Sequence, residues 1–463
     1  MNLKVKQSLV ILLLLFIPIS LLLTYTPIGI TATNTGVLFA YKEIEGRTWG
    51  AWVMDDINGD GWREIGICGA IYTKALDVNP AHGGPKEIWS QWGLHHEVLW
   101  GCDSGIDANG DGITEQLVFE AVWNNHYLLN GQNGVALDSP DEENRRYGFY
   151  WPIIDCGFGL DHDVNSNGVH DYVITGINFT PKAIVQCIES INASVIWEFE
   201  LSQVSNGIRS ININSTQHIL IISGFLQVLT HNGIEVWNRS GVGWGLDVIP
   251  NGAGFGSDAI ITNTGAGITL INASDNTIIW SNLLNMHSLH YVGDINNDGF
   301  GDFGGLYPIG DKVGVCSGMD GTLIRNHTAQ TLLNYMHGVI YCGDVNADGY
   351  DDYGIYGDFY PHEVFSGNNG SQLISIIGTY FQGAEEMYVV PDINGNGTPD
   401  IMLFDGGIAA VEGSFQGNAI LNFEEFEKNG FKIDGFSLII ITVVTIVSTI
   451  IISNKIVKIK KKD

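Results

Sequence analysis

One nine-residue acidic loop recurs six times along this chain, always in the same register. The copies read DINGDGWRE from Asp56, DANGDGITE from Asp107, DVNSNGVHD from Asp163, DINNDGFGD from Asp294, DVNADGYDD from Asp344 and DINGNGTPD from Asp392. Side-chain oxygens stand at positions 1, 3, 5 and 9 of every copy, and glycine always occupies position 6. Such spacing turns alternate oxygens toward a hard cation. Position 7 adds its carbonyl, and glycine permits the sharp turn between them.

The ligand set implied for the first loop is Asp56, Asn58, Asp60, Trp62 and Glu64, and for the second Asp107, Asn109, Asp111, Ile113 and Glu115. The third loop offers Asp163, Asn165, Asn167, Val169 and Asp171, and the fourth Asp294, Asn296, Asp298, Phe300 and Asp302. The fifth offers Asp344, Asn346, Asp348, Tyr350 and Asp352, and the sixth Asp392, Asn394, Asn396, Thr398 and Asp400. All-oxygen sets with two or three carboxylates favour Ca²⁺ over transition metals. Mg²⁺ fits less well, because it keeps its water and a stricter octahedron. Asn167 and Asn396 leave the third and sixth loops short of a carboxylate at position 5, so weaker binding is expected there.

Between Asp163 and Asp294 the spacing is too long for one unit, and two worn copies fill it. One begins near Asn212 (INSTQHILIISG) and has lost its acids. The other begins at Asp247 (DVIPNGAGFGSDAIITN) and reads as Asp247 and Asp258 with residues inserted between them. Eight units of about 48 residues result, spanning 45–425. Each unit enters its loop on a short apolar strand (HYVGD) and leaves on another (DYVITG, DIMLFDG). Two further strands flank a Gly/Asn turn, as in VFSGNNGSQLISI. Four short strands per unit without an amphipathic helix predict an all-β chain, a β-propeller of about eight four-stranded blades over 34–430, with seven as the alternative. GVLFAYKEIEG, ahead of the first loop, reads as a hairpin able to complete the last blade and close the ring.

An EF-hand needs an acid at loop position 12 and flanking helices. Here Ile67, Val118, Ile174, Gly305, Ile355 and Leu403 stand at that position. A terminal acid at position 9 followed by a strand instead resembles the FG-GAP or VCBS repeats of integrin α-subunits and microbial surface proteins. Asp344, Asn346, Asp348 and Asp352 in GDVNADGYDDYGIYG match that pattern position by position. The resemblance implies about six structural Ca²⁺ ions, each stiffening the turn between the two inner strands of a blade. Trp89, Trp197, Trp237 and Trp280 close fourth strands (EIW, VIW, EVW, IIW) and resemble the blade-docking tryptophans of quinoprotein propellers.

Lys4 and Lys6 precede an apolar run from Leu9 to Leu23, which reads as a signal peptide over 1–32, with an uncleaved anchor as the alternative. Residues 435–453 are long and apolar enough to span a bilayer, and five lysines follow in a basic cytoplasmic tail, 454–463. These features place the propeller at the cell surface. A net charge of −30 argues against nucleic acid as a partner. Cys68, Cys102, Cys156, Cys187, Cys316 and Cys342 suit an oxidising compartment and could form three bridges, or remain free in the core. Sequons such as those at Asn192 and Asn272 fit an exported glycoprotein.

If the loops line one face, a ligand belongs on the other. Trp49, Trp100, His287, His337 and Glu385 stand just before the inner strands, with His96 and His290 close by. MHSLHYVGD and MHGVIYCGD make His287 and His337 equivalent positions of adjacent units. Histidines at a channel mouth suit a metal, a sugar or a carboxylate; the alternative is that they are repeat residues packing against neighbours. The expected role is adhesion or recognition of an extracellular protein or glycan. The alternatives are an anchored enzyme, either a quinoprotein-like dehydrogenase or a polysaccharide lyase or hydrolase, and a purely architectural surface protein.

Overall fold

The computed structural model describes residues 37–421, apart from 42–47, 70–71, 93–97, 121–125, 138–156, 178–182, 204, 206, 243–245, 253–256, 309–311, 329–334, 359–361, 379–385 and 405–407. The expected signal peptide, spanning segment and tail lie outside the described residues. Among the described residues no helix is long and apolar enough to cross a membrane.

Eight sheets follow one another along the chain and form an eight-bladed β-propeller. Blade 1 comprises Thr48–Val53, Ile65–Gly69, Tyr72–Asp77 and Lys86–Trp92, paired antiparallel in that order from the inside out. Blade 2 shows three strands among the described residues, Val98–Asp103, Gln116–Glu120 and His126–Leu129. The remaining inner strands are Gly157–Gly159, Gly207–Ile213, Leu246–Ile249, His287–Gly293, Tyr335–Gly343 and Glu386–Val390.

Burial follows radial position, and this explains the sequence patterns. Second and third strands are covered on both faces by neighbouring blades, so Ile65–Gly69 and Ala183–Ile188 are buried throughout. Fourth strands lie at the rim, and Glu235–Ser240 alternates between half-buried and exposed positions. Apolar clusters join consecutive blades. One of them packs Val53, Ile65 and Leu76 of blade 1 on Val390, Met402 and Ile408 of blade 8, which closes the ring.

Closure uses both ends of the described chain. Val37–Tyr41 pairs antiparallel with Ile408–Val411 and becomes the fourth strand of blade 8. It comes from the segment expected to close the ring, but takes part as a single strand. The last described strand, Gly417–Leu421, finds that place taken and runs parallel to Gln372–Gly378 as a fifth strand on blade 7. Both additions cover edges that would otherwise expose unpaired backbone groups.

The four rim tryptophans dock blade to blade. Trp89 Nε1 donates to the Gly131 carbonyl of the next blade (2.9 Å), Trp197 to His231 (2.9 Å), Trp237 to Ala273 (2.7 Å) and Trp280 to Gly318 (2.8 Å). Blade 6 carries Arg325 instead, whose Nη2 donates to the carbonyls of Gly367 (3.2 Å) and Asn368 (3.0 Å). Beneath Trp89, Trp197, Trp280 and Arg325 lies a glycine of the next turn, such as Gly321 at φ 74°. A Cβ there would stand 2.9 Å from the Trp280 ring. Glycine is required twice over, for its dihedral and for its missing side chain.

Cys68, Cys102, Cys187, Cys316 and Cys342 are free thiols, the second of the two readings open from sequence; Cys156 lies outside the described residues. All but Cys102 are buried, and they act as small apolar residues on inner, second and third strands of separate blades. Burial pushes the thiols of Cys68, Cys187, Cys316 and Cys342 up, which keeps them protonated and unreactive.

Trp280→Phe loses the bond to Gly318 and should lower stability by about 1–2 kcal/mol, and Gly321→Ala by about 1–3 kcal/mol, both read from urea unfolding. A neutral Gly321→Ala would contradict the docking role. His362 is 2 % exposed. Desolvation, aided by nearby His337, pushes it down to about 4. The unfolded chain, titrating near the ordinary value of 6.5, binds the proton first. Stability is therefore lost as pH falls from 6.5 toward 4. His362→Gln should remove about 2 kcal/mol of the parent's decline between roughly pH 7 and pH 5. Identical declines in parent and variant would show that another group titrates.

Candidate cation-binding loops and the opposite face

Every acidic loop joins the inner strand of its blade to the second strand, and its side chains fold inward on the backbone. In blade 7, Asp344 accepts from the amides of Asp348 (3.0 Å) and Gly349 (2.8 Å). Asn346 Oδ1 accepts from Asp348 (2.9 Å), and Asp348 Oδ1 accepts from Tyr350 (3.0 Å). Asp352 closes the loop, with Oδ2 accepting from Val345 (3.0 Å) and Oδ1 from Gly367 of the outer turn (3.0 Å). The position-6 glycines, Gly61, Gly112, Gly168, Gly299, Gly349 and Gly397, all have φ between 87° and 94°, as the sequence predicts. Thus positions 1, 3, 5 and 9 of each expected ligand set are gathered in one loop.

Position 9 is where the chain encloses charge. Glu115, Asp171, Asp302, Asp352 and Asp400 are fully buried, and Glu64 nearly so. Desolvation, reinforced by the carboxylates at positions 1 and 5, pushes Glu64, Glu115 and Asp302 up to about 7 and Asp352 to about 6. Asp400 rises to about 7 through burial and the charges of Asp392 and Glu412. Asp171 Oδ1 is buried without a hydrogen-bond partner. The all-oxygen donor sets and, in blade 3, the unpartnered buried oxygen suit a hard divalent cation, and in blade 1 Asp60, Asp77 and His82 lie close enough to meet at one ion.

The two worn units show the loop without its charges. Blade 4 replaces it with a two-residue turn, Asn214 and Ser215, both left-handed at φ 50° and 60°. Blade 5 corrects the sequence reading. Asp247 does not begin a loop; it lies within Leu246–Ile249, and no insertion separates it from Asp258. Asp258 holds position 9, because it accepts from the Asn251 amide (2.9 Å) seven residues earlier, the same separation as Asp352 from Val345. Its second oxygen accepts from the Asn212 amide of blade 4 (2.7 Å). Protein donors serve both oxygens where the other acids have been lost.

Sequence reasoning missed the residue that closes each third strand. Asn130 Nδ2 donates to Asp111 Oδ2 (3.0 Å), and Ser317 and Ser366 Oγ reach Asp298 (3.5 Å) and Asp348 (3.4 Å). In blades 3 and 8 the direction reverses. Asn167 Nδ2 donates to Glu189 (2.7 Å) and Asn396 Nδ2 to Glu412 (2.9 Å). In blade 1 Asp77 and Asp60 both face His82, whose Nδ1 lies 2.7 Å from Asp77 and 3.2 Å from Asp60. The signal was present in sequence, as a fixed place beside the outer turn.

On the opposite face, His96 and Glu385 lie outside the described residues. Trp49 and Trp100 fall within inner strands and not just before them, and their backbones alone are described. His287 begins the inner strand of blade 6 and is exposed; His337 occupies the inner strand of blade 7 and meets Tyr356 edge-on, with ring centroids 6.4 Å apart. His290 lies 3.9 Å from Asp247 of the preceding blade. Burial holds this imidazole below its ordinary value; Asp247 works against that and Arg209 adds to it. Arg209, Asp247 and His290 thus occupy the inner strands of blades 4, 5 and 6. Sequence reading did not connect the first two with the third.

No family model matches this sequence, and no curated protein matches it. The fold is similar to Sqt1 from Saccharomyces cerevisiae, with a TM-score of 0.57 at 10 % identity over 81 % of this chain and 97 % of that one. It is also similar to rhamnogalacturonan lyase YesW (0.52, 12 %, covering 85 % and 76 %) and to the PL11 rhamnogalacturonan lyase of Bacillus licheniformis (0.51, 13 %, covering 85 % and 76 %). At such identities the likeness shows the fold alone, a β-propeller.

Asp302→Asn should lower the number of divalent ions held at saturation by one, measured by equilibrium dialysis of the full chain and elemental analysis. An unchanged ratio would leave Asp302 as a hydrogen-bond cap only.

Proposed function

We propose that this chain is an exported recognition propeller, held at the membrane by its C-terminal segment, with six structural Ca²⁺ ions stiffening its ring. The observation that carries the reading is the inward turn of all six loops. Their side chains cap their own backbone and bury the position-9 acid, leaving little to present to a ligand. The FG-GAP or VCBS resemblance supports the same reading of the loops.

Recognition then belongs to the opposite face, where the inner strands of blades 4 to 6 carry Arg209, Asp247 and His290. A guanidinium, a carboxylate and an imidazole together offer donors and acceptors suited to the hydroxyl and carboxylate groups of a glycan, or to polar side chains of a protein. Chelation should lower the thermal midpoint of the full chain, and Mg²⁺ should restore less than Ca²⁺. An unchanged midpoint would refute the structural role of the ions.

A glycan and protein binding screen should return a ligand whose affinity falls at least about tenfold in Arg209→Ala and His290→Ala, with the midpoint unchanged. Selective loss in a loop variant with the fold intact would move the site to the other face. One observation favours an enzyme as the second reading: a half-exposed imidazole held below its ordinary value, 3.9 Å from the Asp247 carboxylate and near Arg209, suits proton abstraction. New ultraviolet absorbance from unsaturated sugar ends on acidic polysaccharides, lost in His290→Ala, would establish that reading instead.

A further inference from the structure

We propose that Glu189 and Glu412 are cation ligands of blades 3 and 8, each supplying the carboxylate that position 5 of its loop lacks. The proposal rests on the reading that the loops hold Ca²⁺.

It begins with the hydrogen bonding of position 5. In all six loops the Oδ1 atom there accepts from the amide of position 7, as Asp111 does from Ile113 (2.9 Å) and Asn167 from Val169 (2.9 Å). Only the second terminal atom is left to face the corner shared with the third strand. In Asp60, Asp111, Asp298 and Asp348 that atom is an oxygen. In Asn167 and Asn396 it is an amide nitrogen, which donates and cannot bind a cation.

The residue closing the third strand varies in step. Where position 5 is Asp111, Asp298 or Asp348, the strand ends in neutral Asn130, Ser317 or Ser366. Where position 5 is Asn167 or Asn396, the strand ends in Glu189 or Glu412, and the amide nitrogen points at the Oε1 of that glutamate. Counted with positions 1, 3 and 9, five of the six loops carry three carboxylates. Blade 1 carries a fourth in Asp77, and there His82 stands between the two acids.

A contact needed only for packing would not hold charge constant. An Asn–Asn or Asn–Ser pair would serve it equally well, and neither occurs in the acidic loops. A cation site does require constant charge, because affinity follows the number of anionic ligands. Blade 3 adds a sign of its own: the buried Oδ1 of Asp171 lacks the hydrogen bond that the matching oxygens of Asp302, Asp352 and Asp400 accept from the outer turn. The weak sites expected from Asn167 and Asn396 thereby become sites of ordinary strength, with one ligand drawn from another strand.

The test uses the full chain with Ca²⁺ as the probe, following ion stoichiometry by equilibrium dialysis and thermal midpoints with Ca²⁺ and with chelator. Glu189→Gln and Glu412→Gln should each weaken one site at least about tenfold while leaving the chelated midpoint unchanged. The exchange Asn167→Asp with Glu189→Asn should restore the sixth ion. Full stoichiometry and affinity in both single variants, while Asp302→Asn loses an ion, would overturn the proposal and leave the Ca²⁺ reading standing. A loss that the exchange fails to restore would also overturn it, making Glu189 a cap of the turn. A parent chain that binds no Ca²⁺ would sink the underlying reading instead.

Discussion

In every blade but the fourth, a carboxylate buried between the inner and second strands is the constraint on which the rest of the blade depends. Enclosing an ionised acid is unfavourable unless donors or a cation meet it. In blades 6, 7 and 8 backbone amides from the loop and from the outer turn converge on Asp302, Asp352 and Asp400. The acid therefore ties three strands of one blade together at a single point. Blade 5 keeps the same acid, Asp258, and satisfies its second oxygen with an amide of blade 4. Where the neighbouring carboxylates are gone, protein donors suffice. Where they remain, they crowd around the position-9 acid, and burial and mutual repulsion push it up.

Around these points the ring is assembled by contacts between blades. Rim tryptophans donate to the outer turn of the next blade, and a left-handed glycine makes room for each of several indoles. Arg325 meets the same carbonyl acceptors with a guanidinium. The acceptor geometry of the turn is thus retained while the donor changes. Two added strands, Val37–Tyr41 and Gly417–Leu421, cover the edges of blades 8 and 7.

Much of this was legible in sequence because it is local. The loops, their period, their glycines and the docking tryptophans all repeat at short, regular spacing. What failed or stayed open depended on register or on distant partners. Asp247 looked like the first acid of a worn loop, but strand register places it in a strand, where it accepts from the Tyr291 amide of the next blade. Cysteine number allowed disulfides or free thiols, and the described thiols fill core positions on strands of different blades. Arg209, Asp247 and His290 are far apart in the chain and share one region only once the blades close into a ring.

The chain's residues by themselves determined the repeat and the all-β class, and narrowed the blades to eight or seven, because strand alternation, turn glycines and loop acids act over a few residues. Only the tertiary structure decided which strand completes which blade, which thiols stay apart, and which third-strand residue faces each loop. Those outcomes turn on pairing register and ring closure, where one residue of shift exchanges the two faces of a strand. The exchange of carboxylate between Asp111 and Asn130, and between Asn167 and Glu189, lay in the sequence throughout. It acquired meaning when folding placed both members at one corner.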